Sequence, residues 1–140
     1  MKLLLEVITP EKIVFKDEVD EIVIDTINGQ IAILPNHINL ITKLVPGEMK
    51  IIKGKTEQVL AATGGFLEIT NNSATILADY AVRAQDIEIA RAQEAQKRAE
   101  HAMKEKATDK DFRMAEAELQ KALLQLKVAK RHRRNRTQAS

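Results

Sequence analysis

The chain has 140 residues, 44% apolar, 3% aromatic and 30% charged, with a net charge of +2 and no cysteine. This length suits one ordinary domain, or a small domain with an appendage. The missing cysteine excludes disulfides, thiolate catalysis and Cys-based zinc sites and fits a reducing compartment, and the scarcity of aromatics demands a core of Ile, Val, Leu and Ala.

Met1-Lys2-Leu3-Leu4-Leu5 begins like a secretory leader, but Glu6 and then Thr9-Pro10-Glu11 leave no apolar h-region. No apolar run approaches the ~18 residues of a membrane-spanning helix. Up to Ala84 the apolar residues come in short, β-branched runs cut by Gly, Pro and Asn. The runs cover residues 3–8, 13–15, 21–25, 30–34, 38–44, 49–53, 57–63, 66–70 and 75–78. Asn28-Gly29, Pro35-Asn36, Pro46-Gly47, Gly64-Gly65 and Asn71-Asn72 punctuate them, which predicts antiparallel hairpins. No helix-length pattern intervenes, so a parallel βαβ sheet is not expected. About nine strands in one flat sheet would leave a face wet, and a two-layer β-sandwich is the better reading.

After Ala84 there is no Gly and no Pro. Asp86 is a candidate N-cap for a helix running to about Ala107. Thr108 is a candidate cap for a second, from about Asp109 to Arg134, with Asp111 as capping-box partner. Ala92, Ala95, Ala99 and Ala102 make one seam. Phe112, Ala115, Leu119, Ala122, Leu126 and Ala129 make the other. Alanine seams allow close approach, so an antiparallel helical hairpin follows. Alanine also buries little apolar area, so the hairpin should be held weakly, with alternative placements within reach. The expected organisation is therefore a β-sandwich docking domain over 1–84 and a helical regulatory domain over 85–140.

Charge divides with the fold. Residues 1–84 hold 8 Lys/Arg against 11 Asp/Glu, and residues 85–140 hold 14 against 9. Lys127, Lys130, Arg131 and Arg134 recur at helical spacing as one basic stripe. It is either a solvated face that complements the helix dipole or a dock for an acidic partner. A nucleic-acid module using this tail is the alternative function. Against it, the sandwich half is net acidic and its aromatics form no stacking platform. Gly54-Lys55-Thr56 lacks the earlier glycine and the following helix of a P-loop, and reads as a hairpin turn. His37 has no second histidine at ligand spacing. No carboxylate pair or Ser–His–Asp order marks a catalytic site.

Taken together, Ile8-Thr9-Pro10, the stretch Gly29 through His37, Gly64-Gly65-Phe66-Leu67-Glu68-Ile69 and Leu77-Ala78-Asp79-Tyr80-Ala81 resemble the epsilon subunits of F-type ATP synthases. Their order and spacing carry the resemblance over nearly the whole chain. It implies a non-catalytic subunit of the rotating central stalk, with a sandwich that binds the gamma subunit and rests on the ring of c subunits. Asn36 and His37 would lie on the ring side. The hairpin would fold down, or extend into the catalytic head to hinder ATP hydrolysis. There Lys127, Lys130, Arg131 and Arg134 would meet an acidic segment of a beta subunit. Some bacterial members bind ATP through a signature at the start of the first helix. Its matches here are Ile87, Glu88, Arg91 and Ala92, with Arg98 matching a further arginine. Glu88 replaces the signature aspartate, and Lys121 and Gln125 replace arginines of strong binders. The resemblance thus implies no obligatory cofactor, and ATP as a regulatory ligand. It implies membrane contact only through the complex, peripheral to the cytoplasmic face of a bacterial plasma membrane, or to the stromal face of a thylakoid.

Overall fold

The computed structural model describes residues 1–105 and 108–139, with side chains described up to Arg134. It divides into two compact units, one from Met1 to Arg83 and one from Ala84 onward.

The first unit holds ten strands: β1 (Leu3–Ile8), β2 (Ile13–Val19), β3 (Glu21–Thr26), β4 (Gly29–Ile33), β5 (Leu40–Leu44), β6 (Gly47–Lys53), β7 (Thr56–Ala62), β8 (Gly65–Thr70), β9 (Ser73–Ala78) and β10 (Ala81–Arg83). They hydrogen-bond in the order β10-β7-β6-β3-β5-β8-β9-β1-β2, with β4 on β3. The sheet wraps around one interior, so the expected sandwich is a near-barrel of continuous pairing. Its two ends meet where the Arg83 guanidinium of β10 lies 6.0 Å from the Phe15 ring centroid of β2. Nearby, Lys53 Nζ on β6 pairs with Asp17 Oδ2 at 2.7 Å, and the Gly54 N–H donates to Asp20 Oδ2 at 2.6 Å.

Alternation builds the core. Leu3, Leu5 and Val7 of β1, Ile22 and Ile24 of β3, Leu67 and Ile69 of β8, and Ala74 and Ile76 of β9 point inward and are buried. Thr26 is the one buried polar side chain among the described residues, and it is satisfied. Its hydroxyl donates to the Gly29 carbonyl at 2.7 Å and accepts the Asn28 N–H at 3.1 Å, closing the β3–β4 turn.

Three features depart from the sequence reading. β2 continues through Lys16-Asp17-Glu18 to a buried Val19, because β1 pairs with it along its length, Leu3 opposite Val19. β10 is a tenth strand, too short for a pattern. All pairs are antiparallel except β1 with β9, which run parallel from Leu4–Ser73 to Ile8–Leu77. A parallel pair needs a long connection, and here the whole intervening sheet supplies it.

The second unit opens with a 3-10 turn, Ala84–Asp86, followed by α1 (Ile89–Glu105) and α2 (Asp109–Ala139). Asp86 therefore does not cap α1: it lies inside the 3-10 turn, and the Ala92 N–H reaches the Glu88 carbonyl at 3.1 Å as the helix's first bond. Ala107, the expected end of helix one, lies outside the described residues. Thr108 does cap α2, its hydroxyl accepting the Asp111 N–H at 3.0 Å. The helices pack as a hairpin through buried Ala92 and Ala99 of α1 and Ala115, Ala122, Leu126 and Ala129 of α2. Ala102 is exposed and Met103 half-buried instead, because a 3.6-residue helix drifts out of a strict heptad seam.

Candidate functional sites

Three sets of residues were expected to carry function, and a fourth surface emerges from the fold. The first set lies at the start of α1. Ile87 and Ala92 are buried; Glu88, Arg91 and Arg98 face solvent. The Arg91 side chain is 82% exposed, and its Nε meets Glu88 Oε2 at 3.0 Å one turn away. Arg91 and Arg98 stand seven residues apart, two turns or about 10 Å along one face. Two guanidinium forks on one face are suited to a polyphosphate, and the buried Ala92 beside them keeps that surface low. Glu88 works against this, since it occupies one edge of Arg91 and places a carboxylate beside any bound phosphate. Lys121 and Gln125 on α2 are half-buried.

The second set lies in the loop between β4 and β5. The His37 N–H donates to the Leu34 carbonyl at 3.2 Å, with Pro35 at the second position and Asn36 at a φ of 64° in the third. That is the signature of a type II turn. His37 Nδ1 lies 2.7 Å from the Ile38 carbonyl, which places a proton on that nitrogen. The Asn36 N–H donates to Asn72 Oδ1 at 2.8 Å. The turn thereby presents Leu34 and Ile38 to solvent, 53% and 80% exposed.

The third set is the basic stripe of α2. Lys127, Lys130 and Arg134 are exposed, while Arg131 is half-buried. Arg136 lies beyond the described side chains. On the same turns Val128 and Ala129 are buried, so the cations occupy one side of an element whose other side is packed. Among the described residues, no group of three or more His, Asp or Glu converges on a metal-sized site, and no helix is long and apolar enough to cross a membrane.

The fourth surface was not read from the sequence. On the outward face of the sheet, Lys43 of β5 stands opposite Phe66 of β8, Phe66 opposite Leu77 of β9, and Leu77 opposite Ile8 of β1. Phe66 and Leu77 are each more than half exposed. With Thr9, Pro10, Gly65, Ala78 and Asp79 this row lines an open depression of about 490 Å³. Gly65 is essential to its floor. Its φ is +129° and any Cβ there would collide with the Leu77 carbonyl, so only glycine lets β8 and β9 close up at this point. The missed signal was the outward position of an aromatic in a sheet whose other apolar side chains mostly turn inward.

Comparison with known proteins gives the family of the chain. The family model for the ATP synthase Delta/Epsilon chain, beta-sandwich domain, matches residues 2–84, and that for the long alpha-helix domain of the same chain matches residues 85–130. An ATP synthase epsilon chain of Herpetosiphon aurantiacus is 41% identical over 97% of this chain and 99% of its own length. One from Dehalococcoides mccartyi is 44% identical over 96% of each. Among solved structures, a chain of the Euglena gracilis mitochondrial ATP synthase in an OSCP/F1/c-ring assembly superposes with a TM-score of 0.70 at 19% identity, covering 85% of this chain and 76% of its own. A chain from the central stalk/c-ring of the Tetrahymena thermophila mitochondrial enzyme superposes with a TM-score of 0.59 at 17% identity, covering 92% and 97%.

Proposed function

Because this chain belongs to the ATP synthase delta/epsilon family, as an epsilon subunit of the F-type central stalk, we propose that its two units divide the work between anchoring and control. It is a non-catalytic subunit of the rotary complex, so its own chemistry is recognition. The sandwich would bind the gamma subunit through the Lys43–Phe66–Leu77–Ile8 row and meet the c-ring through the Asn36–His37 turn. The outward apolar row carries this reading, because Phe66, Leu77 and Ile8 form a contiguous apolar strip rimmed by Lys43 and Asp79, as partner interfaces do.

The hairpin would regulate. Its interhelical seam is made largely of alanine, so little apolar area is lost when it changes neighbours. Extended toward the catalytic head, its Lys127, Lys130, Arg131 and Arg134 would approach an acidic segment of a beta subunit and hinder ATP hydrolysis. Charge complementarity of this kind sets approach and specificity more than affinity. ATP would act as a regulatory ligand at Arg91 and Arg98, favouring whichever hairpin placement binds it more tightly. Arg91 would first exchange Glu88 for phosphate. An exposed pair of this kind contributes little, so the exchange is accessible. The complex would couple to proton flow, with this subunit peripheral to the cytoplasmic face of a bacterial plasma membrane.

The decisive experiment truncates the chain after Asp86 within the assembled complex. Expected results are intact assembly and a rise in ATP hydrolysis. Loss of assembly would place the anchor in the hairpin, and unchanged hydrolysis would remove inhibition from its role.

A further inference from the structure

The turn joining β8 to β9 is Asn71-Asn72, with φ values of 50° and 60°. Two consecutive residues with positive φ are the mark of a type I′ hairpin turn, and asparagine tolerates that conformation. A turn needs no more than this, yet Asn72 makes bonds that a turn does not require. Its Oδ1 accepts the Asn36 N–H at 2.8 Å, and its Nδ2 donates to the Lys2 carbonyl at 2.8 Å. Its own carbonyl accepts the Leu4 N–H at 3.2 Å. The neighbouring Asn71 N–H reaches Asn39 Oδ1 at 3.4 Å, at the far end of the same loop. One half-buried side chain therefore ties three segments distant in sequence: the start of β1, the β8–β9 turn and the loop between β4 and β5. Its amide orientation is forced. An N–H on one side demands the oxygen, and a carbonyl on the other demands the nitrogen.

The loop needs such a tie. Residues 34–39 belong to no strand, and the type II turn within them holds one internal hydrogen bond. Leu34 and Ile38 project from it largely into solvent, so packing does little to fix them. A loose loop carrying apolar side chains loses ordering entropy when it docks, so a loop ordered beforehand docks at lower cost. We propose that Asn72 is the positioning residue of this loop, holding Asn36 so that Leu34 and Ile38 reach the c-ring already arranged for contact. This rests on the reading of the Asn36–His37 turn as the ring-facing end.

Two variants separate the side chain from the turn. Asn72→Gly keeps the positive φ and removes both side-chain bonds. Asn72→Asp keeps the φ and the acceptor for Asn36 but sets a second acceptor against the Lys2 carbonyl in place of the donor. Amide hydrogen exchange on the full chain reads the loop, and the ratio of ATP-driven proton pumping to ATP hydrolysed, in the complex reconstituted into vesicles, reads the docking. Asn72→Gly should raise exchange at the Asn36 amide at least tenfold and lower the coupling ratio by half or more, while Asn72→Asp, which retains the acceptor for Asn36, should raise that exchange less than Asn72→Gly does. Unchanged exchange in Asn72→Gly would overturn the tie. Raised exchange with unchanged coupling would overturn the positioning role. Ile38→Asp tests the underlying reading separately: it leaves the Asn72 bonds in place, and if coupling survives it, the loop does not face the ring.

Discussion

Replacing Phe66 by threonine tests the docking row at its centre. The side chain is 55% exposed, and an aromatic side chain presents roughly 200 Å², so about 110 Å² is available to a partner. Threonine keeps a strand-favouring residue and recovers part of that area, leaving roughly 80 Å² of lost contact. At ~25 cal/mol per Å² the loss is about 2 kcal/mol, or ~30-fold in Kd. Because Phe66 faces outward while Leu67 fills the core, the unfolding free energy should move by no more than ~1 kcal/mol. The assay is titration of fluorescently labelled full chain with epsilon-depleted catalytic complex that retains gamma. Changing Leu77 to threonine as well should weaken binding further, since the two stand opposite each other on adjacent strands. A Kd within threefold of wild type for the double variant, with folding intact, would refute the assignment of this face.

Three further outcomes follow from the other surfaces. Isothermal titration of the full chain with ATP should show binding that Arg91→Ala weakens tenfold or more. Glu88→Gln should strengthen it about fivefold by removing ~1 kcal/mol of like-charge repulsion beside the phosphate; weaker binding in Glu88→Gln would contradict the geometry. Charge reversal at Lys127 and Lys130 should at least double ATP hydrolysis by the assembled complex and flatten the salt dependence of its inhibition, whereas unchanged inhibition would show the stripe to be a solvated face. Asp17 is held below the usual carboxylate range chiefly by its Lys53 hydrogen bond, and Asp20 chiefly by the Gly54 N–H. Folding thus favours their ionised forms, so this stabilisation is full above the ordinary value of 3.8 and is lost as pH falls through the lower folded-state values. The Lys53 pKa is raised by the same pair, so its share is full below 10.5 and lost as pH rises through the folded value. Urea midpoints measured from pH 6 to 2 should fall less steeply in Asp17→Asn/Asp20→Asn than in wild type; superimposable acid limbs would remove both contacts from the account.

Much of this architecture is legible in the sequence, where local pattern and tertiary context agree. Residues 21–25 and 66–70 alternate, and Gly and Asn mark the turns that require positive φ, so strand and hairpin follow from short-range sterics. The misses share a cause. Lys16-Asp17-Glu18 falls outside the apolar run at 13–15 because the charges β2 turns toward solvent outweigh its inward positions; only pairing with β1 shows it to be strand. Ala81-Val82-Arg83 is too short to display a period. Asp86 has the chemistry of a cap, but the 3-10 turn at Ala84 delays the helix to Ile89. At the sites, the types of residue were visible and their relations were not. The spacing of Glu88 and Arg91 permits an ion pair, but signature matching weighs each position alone. The tie from Asn72 to Asn36 spans segments no pattern connects, and the exposure of Phe66 depends on which face of β8 turns inward.

The parallel pairing of β1 with β9 has a consequence for how the molecule is made. It sets Leu4 beside Ser73 and Ile8 beside Leu77, so the first strand waits for nearly the last before its second edge is covered. Closure across such a separation is slow relative to the local hairpins that precede it. Until then β1 has only β2 as a neighbour, and its free edge is open to other chains. The docking row spans this closure, with Ile8 on one side and Phe66 and Leu77 on the other. A chain cut short before β9 therefore has no row to offer. If the row docks as proposed, a copy lacking β9 would have nothing with which to compete for a place on the rotor.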